Sequence, residues 1–147
     1  MFQHDDDVKK ERDRLIERYD TILKESALLA TFAGILFGFL LQISINTPRY
    51  FTFFDKTVLL VALYSITIAA SLFAMPVIYH HLQYPYEDLE KFKVRSHRFI
   101  VLGVIHSGIT LYLGIEIALK SVLDTITAFA VATIPFILVY IYFIERK

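Results

Sequence analysis

The chain has no cysteine among its 147 residues, which excludes disulfides, thiolate metal centres and cysteine nucleophiles. Familiar catalytic signatures are missing as well. There is no Gly-rich phosphate loop, no nucleophile elbow and no helix motif bearing paired metal-binding histidines. Fifteen Lys and Arg balance fifteen Asp and Glu, so no net basic charge points to nucleic acid. Nor is there a sizeable soluble domain to enclose a substrate. The expectation is a non-enzymatic protein without cofactor or bound metal.

What the chain does contain is apolar sequence, at 56% of all positions. Charged residues avoid four stretches, at about 26–45, 57–79, 99–119 and 125–144. Each approaches the ~20 residues that a helix needs to cross a hydrocarbon layer. Hydrocarbon cannot satisfy open backbone groups, and barrel strands of about ten residues are not seen, so helices are expected. The first stretch is too long for a signal peptide, lies too far along the chain, and is followed by three more. These features predict an all-α integral membrane protein: a four-helix bundle (residues 26–147) preceded by a helical arm (residues 1–25). Of the fifteen Lys and Arg, six precede the first span, four lie between Tyr79 and Phe99 and two end the chain, leaving Arg49, Lys56 and Lys120. Twelve against three predicts that both termini are cytoplasmic.

In the arm, Val8, Leu15, Ile16, Tyr19, Ile22 and Leu23 recur at helical spacing. Asp5, Asp6 and Asp7 suit a helix start, and Asp20 with Lys24 makes a favourable i,i+4 pair. One helix from about Asp7 to Ile45 is expected, ending before Asn46, Thr47 and Pro48. Tyr50, Phe51, Phe53 and Phe54 suit the outer interface. Asp55 can cap the second span and Asp124 the fourth, while Lys120 closes the third. The short turn after Lys120 predicts that the third and fourth spans are antiparallel neighbours. Residues 80–97 read as the largest internal loop.

Ala30, Gly34 and Gly38, followed by Gln42, form a row at four-residue spacing in the first span. In the third, Gly103, Ser107, Thr110, Gly114 and Ser121 fall within about 60° of one another at 100° per residue. Thr67, Ala70, Ser71 and Ala74 give a similar row in the second. Such rows allow close helix approach, within the chain or between copies. The same polar residues, Gln42 and Thr110 among them, could instead line a water-filled path. Pro76 and Pro135 lie inside the second and fourth spans, where a kink is the ordinary result.

Two ionisable residues mark the third span. His106 lies about 12 Å inside Arg98 along a helix, near the midplane. There it could bond a hydroxyl such as Thr67, Ser71 or Thr133, or take part in proton movement. Glu116 sits one turn before Lys120, so an ion pair between them competes with an ion-coordinating role. Roughly 15 Å of apolar helix separates His106 from Glu116, so the third span alone cannot relay protons between them. His80, His81 and His97, with Glu87, Asp88 and Glu90, match no strong metal pattern.

The run Gly34, Ile35, Leu36, Phe37, Gly38, Phe39, Leu40 and Leu41 carries a resemblance, together with Pro76, Val77, Ile78, Tyr79 and His80 and with Gly103. Over residues 23–119 the chain resembles a family of small prokaryotic four-span proteins of no settled function. Some of its members are labelled sodium:proton antiporter. His81 stands where that family usually has arginine. The resemblance implies the four-span architecture, a prokaryotic plasma membrane and an inclination toward ion transport.

Together these readings predict a small homo-oligomeric membrane protein. Its expected role is a small-ion channel or proton-linked cation transporter using Glu116, His106 or both. The alternative is a scaffold or partner subunit acting through the arm and the 80–97 segment.

Overall fold

The computed structural model describes the backbone of residues 2–83 and 89–146. Side chains are described over residues 13–146, except those of 15, 18, 19 and 83–89. The structure is all-α. Its helices are α1 (Phe2–Ile45), α2 (Phe53–Gln83), α3 (Leu89–Leu119) and α4 (Thr125–Glu145). All four are long and apolar enough to cross a membrane, as expected of a multi-pass integral membrane protein.

The helices overrun the apolar stretches. α1 begins at Phe2 rather than near Asp7 and continues unbroken through Ile45, since neither Gly nor Pro interrupts the arm. The arm side chains Val8, Leu15 and Tyr19 lie outside the described residues, whereas Ile16 is exposed. The expected loop at 80–97 is largely helical. α2 continues to Gln83 and α3 has begun by Leu89. In the sequence Pro85 follows two residues after Gln83, and proline disfavours helix at the residue before it. A hydropathy reading sees only where the apolar run ends, and helix continues beyond that until something breaks it.

The chain forms two compact units. Unit 1 comprises residues 1–35 and 68–105, unit 2 residues 36–67 and 106–147. In unit 1, Ser26, Ala33, Ala69, Phe73, Phe92 and Ser96 are buried. The Ser26 hydroxyl donates to the Phe73 carbonyl, in the turn before the buried Pro76. A hydroxyl from a neighbouring helix suits a turn whose own donors proline depletes. Gly103 is needed where it stands. A Cβ there would lie 2.5 Å from Cε1 of the Phe73 ring, and that ring is fully buried. Tyr79 stacks on Phe92 with ring centroids 5.5 Å apart.

In unit 2, Leu40, Val58, Leu59, Ala62, Ile66, Ile117, Ala128 and Ala132 are buried. Tyr112 meets Phe129 and Phe136 at 6.0 and 5.6 Å between centroids, which makes α3 and α4 neighbours. Asp124 caps α4. Its side chain accepts hydrogen bonds from Ile126 N and Thr127 N at 3.0 and 3.1 Å.

The buried side of α1 runs through Ser26, Ala33 and Leu40. A seven-residue step drifts only ~20° around a helix, whereas the four-residue step from Ala30 to Gly34 to Gly38 walks ~40° each time. Gly34, Gly38 and Gln42 are accordingly exposed. No heavy atom lies within 4 Å of a Cβ built at either glycine. On α2, Thr67 and Ser71 are exposed and Ala70 and Ala74 half-buried; the packed side runs through Ala62, Ser65, Ile66, Ala69 and Phe73 instead. The α3 row does pack. Gly103, Ser107 and Thr110 are buried and Gly114 is half-buried. α2 and α4 run through Pro76 and Pro135 without interruption, the first buried and the second exposed.

Hydrogen bonds from Thr127 and Ile126 hold the Asp124 carboxyl below its ordinary value of 3.8. A carboxyl with a lower pKa when folded lends stability above its unfolded pKa and loses it as the pH falls through the folded one. Asp124→Ala should therefore lower the thermal midpoint at about pH 7, and the gap to the parent protein should narrow as the pH falls below the ordinary carboxyl value. Circular dichroism melts of the two proteins in detergent would check this.

Candidate functional site

The candidate site is assembled in unit 2 from the turn before α2 and the last turn of α3. Thr52 precedes α2, and Asp55 is the third residue of that helix. Thr52 N and Thr52 Oγ1 both donate to Asp55 Oδ2 at 2.8 Å, and Asp55 N donates back to Thr52 Oγ1 at 3.3 Å. This is a capping box with Asp in place of Glu. Asp55 thus helps to cap α2, as its sequence position predicts, from inside the helix rather than ahead of it.

The box occupies Oδ2 and leaves Oδ1 for a cation. Lys120 Nζ takes that place as an ion pair and hydrogen bond. Lys120 follows the last residue of α3, where a positive charge complements the helix dipole. Its ammonium also lies 5.7 Å from the centre of the Phe54 ring, and that ring meets Phe129 edge-on at 6.2 Å. Side-chain exposure is 10% for Lys120 and 3% for Asp55. A pair this buried is costly to break from one side.

Lys120 therefore does not make its hydrogen-bonded ion pair with Glu116, the partner that i,i+4 spacing favours. Glu116 is fully buried, and neither Oε1 nor Oε2 has a hydrogen-bond partner. It lies within electrostatic reach of both Lys120 and Asp55. Those two charges cancel, so an ionised Glu116 would carry the uncompensated charge of the cluster. A buried carboxylate without donors is expensive, and either a proton or a cation can complete it.

His106 lies deeper in α3 and is half-buried. Its partner is Ser65, rather than the hydroxyls named from helical depth alone. Ser65 Oγ lies 3.1 Å from His106 Nδ1 and 3.0 Å from His106 O. One assignment satisfies both contacts: Ser65 donates to the carbonyl and the Nδ1 hydrogen donates to Ser65. Thr110 Oγ1 is spent on carbonyls, those of His106 at 3.0 Å and Ala62 at 3.4 Å. Gln42 faces away from the buried side of α1. The structure thus brings Glu116 together with Asp55 and Lys120, ties His106 to Ser65, and leaves Gln42 apart from both.

Sequence reasoning named Asp55 as a helix-end residue and Lys120 as a helix-end residue and ion-pair partner for Glu116, and did not pair the two with each other. Their signal was available, since a lone acid opening one span and a lone base closing another sit at the same end of two helices. Of the histidine-bearing segment, Glu87 and Asp88 lie outside the described residues. His80 and His81 meet edge-on at 5.3 Å, and His81 Nδ1 is 3.0 Å from the Val77 carbonyl.

Removing one member of the buried pair should be worse than removing both. Lys120→Met is expected to cost about 3 kcal/mol, with partial recovery in Asp55→Asn/Lys120→Met. A double-mutant cycle on unfolding in detergent measures the difference.

No curated protein and no solved structure matches this chain. A family match covers almost its whole length, residues 8–145. The chain belongs to the family of unknown function DUF6328.

Proposed function

We propose that this membrane protein moves a small cation in a proton-linked manner, with Glu116 as the group that exchanges one for the other. The observation that carries this reading is the burial of Glu116 beside an already neutral Asp55–Lys120 pair, with both carboxylate oxygens unpartnered. Ionisable groups within membrane spans are functional candidates because they are costly to keep. One carboxylate that accepts either a proton or a small cation, but not both, is the minimal chemistry of exchange. Lys120, one helical turn after Glu116, would share its attraction between Asp55 and Glu116 once the latter ionises. His106, tied to Ser65, is the second candidate on the same helix.

The proposal extends to assembly and placement. Four spans enclose little space, so the conduction path forms between copies in a homo-oligomer. The open side of α1 around Gly34 and Gly38 is where a second copy can approach closely. The distribution of Lys and Arg supports cytoplasmic termini, and the resemblance noted above supports a prokaryotic plasma membrane.

Proteoliposomes bearing the purified protein should pass protons or Na⁺ under an imposed gradient. Glu116→Gln should lower that flux by roughly tenfold or more while folding and assembly persist. Flux unchanged by the substitution would remove Glu116 from the mechanism. Absence of flux from folded protein would favour the scaffold reading, with the arm as the place to seek partners.

Assembly has its own test. A Cβ at Gly34 or Gly38 meets nothing within 4 Å, and leucine is a good helix former, so helicity should persist in Gly34→Leu/Gly38→Leu. Chemical crosslinking in membranes should show the oligomer reduced by about tenfold, the effect of roughly 1.4 kcal/mol at the interface.

A further inference from the structure

Unit 1 contains a feature that ion exchange does not use. A hollow of about 560 Å³ lies between the end of α2 and the start of α3. Met75, Ile78, Tyr79 and Leu82 line it from α2, and Arg95, Arg98, Phe99 and Leu102 line it from α3. Both sets follow i, i+3, i+4, i+7 spacing, so each is one continuous stripe along its helix. The hollow has a polar end and an apolar end. Met75 and Leu102 lie farthest into the spans, while the arginines stand where the apolar run of α3 begins.

The two arginines also border a second hollow of about 460 Å³, lined further by Glu90, Lys91 and Val94. Arg95 is set in position. It donates from Nη1 to the Tyr79 hydroxyl at 2.8 Å, and its guanidinium lies 5.7 Å from the centre of the Tyr79 ring. That contact uses one of its five donors. Among the described residues, no carboxylate pairs with Arg95 or Arg98. Two guanidinium groups one turn apart, at the depth where a span meets the headgroup region, match a phosphate in charge and in geometry. The apolar stripes beneath them match an acyl chain.

We infer that this cleft binds one anionic phospholipid, its phosphate held by Arg95 and Arg98 and an acyl chain lying between Ile78 and Leu102. The charge of the cleft selects the occupant. A bare apolar groove would take any lipid tail, but unpaired guanidinium groups at its mouth favour a headgroup with net negative charge. Tyr79 contributes by holding Arg95, and so is a positioning residue.

The test uses the full chain, purified in detergent and observed by native mass spectrometry. Phosphatidylglycerol, phosphatidylcholine and inorganic phosphate are titrated separately. Phosphatidylglycerol should be retained as a single adduct, at least about fivefold more tightly than phosphatidylcholine. Inorganic phosphate should neither bind nor displace it at millimolar concentration. Arg98→Gln touches no described partner and should keep its helicity. It should weaken phosphatidylglycerol by about fivefold, and Arg95→Gln/Arg98→Gln by about twenty-five-fold. Leu102→Trp, which fills the deep end and leaves both arginines in place, should weaken phosphatidylglycerol by about fivefold. Equal binding of the two lipids, or an unchanged Arg98→Gln, would overturn the proposal. Displacement by inorganic phosphate would convert the cleft into a soluble-phosphate site, which also overturns it. If Arg95→Gln loses helicity, Arg98→Gln and Leu102→Trp decide the outcome alone.

Discussion

The ion pair between Asp55 and Lys120 is the constraint on which the chemistry of unit 2 depends. One carboxylate oxygen of Asp55 belongs to the capping box that starts α2, and the other belongs to the lysine that follows α3. The beginning of one span is thereby tied to the end of another. The tie requires both charges to be almost wholly buried, which hydrocarbon surroundings permit only as a matched pair. Because Lys120 is committed there, Glu116 is left without the partner that helical spacing would have supplied. Stability at the helix ends and an unmatched acid inside the fold are two results of the same arrangement.

The same accounting of polar groups runs through the rest of the molecule. Ser26 donates to Phe73 O, Ser65 to His106 O, and Thr110 to the carbonyls of His106 and Ala62. In each case a short hydroxyl finds a backbone acceptor, which in low dielectric is worth making even when that acceptor already has a partner. All but the Thr110–His106 contact, which stays within α3, join helices without any charge. They also explain why hydroxyl-rich rows recur in the spans and why no conducting path need be read into them. Thr110, singled out as lining a path, is buried with its hydroxyl occupied.

The membrane character of the fold was legible because it depends on one-dimensional information. Charges avoid four stretches, and avoidance is visible without knowing what packs on what. Helix ends were less legible. α1 continues back to Phe2 and α2 forward to Gln83 because helix persists until a breaker intervenes, while hydropathy falls as soon as the lipid ends. The faces were least legible. Ala30, Gly34 and Gly38 form a conspicuous row, yet the buried side of α1 is set by Ser26, Ala33 and Leu40 at seven-residue spacing. Choosing between those rows needs the partner helix, which no local pattern supplies. The site divided in the same way. That Glu116 and His106 were exceptional followed from residue type and depth, but that Ser65 holds His106 and Asp55 captures Lys120 followed only from tertiary structure.

Magnitudes separate Glu116 from the other unpartnered groups. Ser96 Oγ and Ser107 Oγ are also buried without hydrogen bonds. An unmade hydroxyl bond costs about 1–3 kcal/mol in proteins, an amount that packing around a small side chain can offset. An ionised carboxylate without donors costs several kcal/mol even after relaxation, a large part of the stability of a chain this size. Glutamine or leucine at position 116 would relieve that cost without altering the helix, since both are good helix formers. The Asp55–Lys120 pair does not need Glu116, because its charges already balance and the capping box holds it from the other side. Among the described residues, Glu116 is thus the buried acid whose two oxygens the fold leaves without a hydrogen-bond partner.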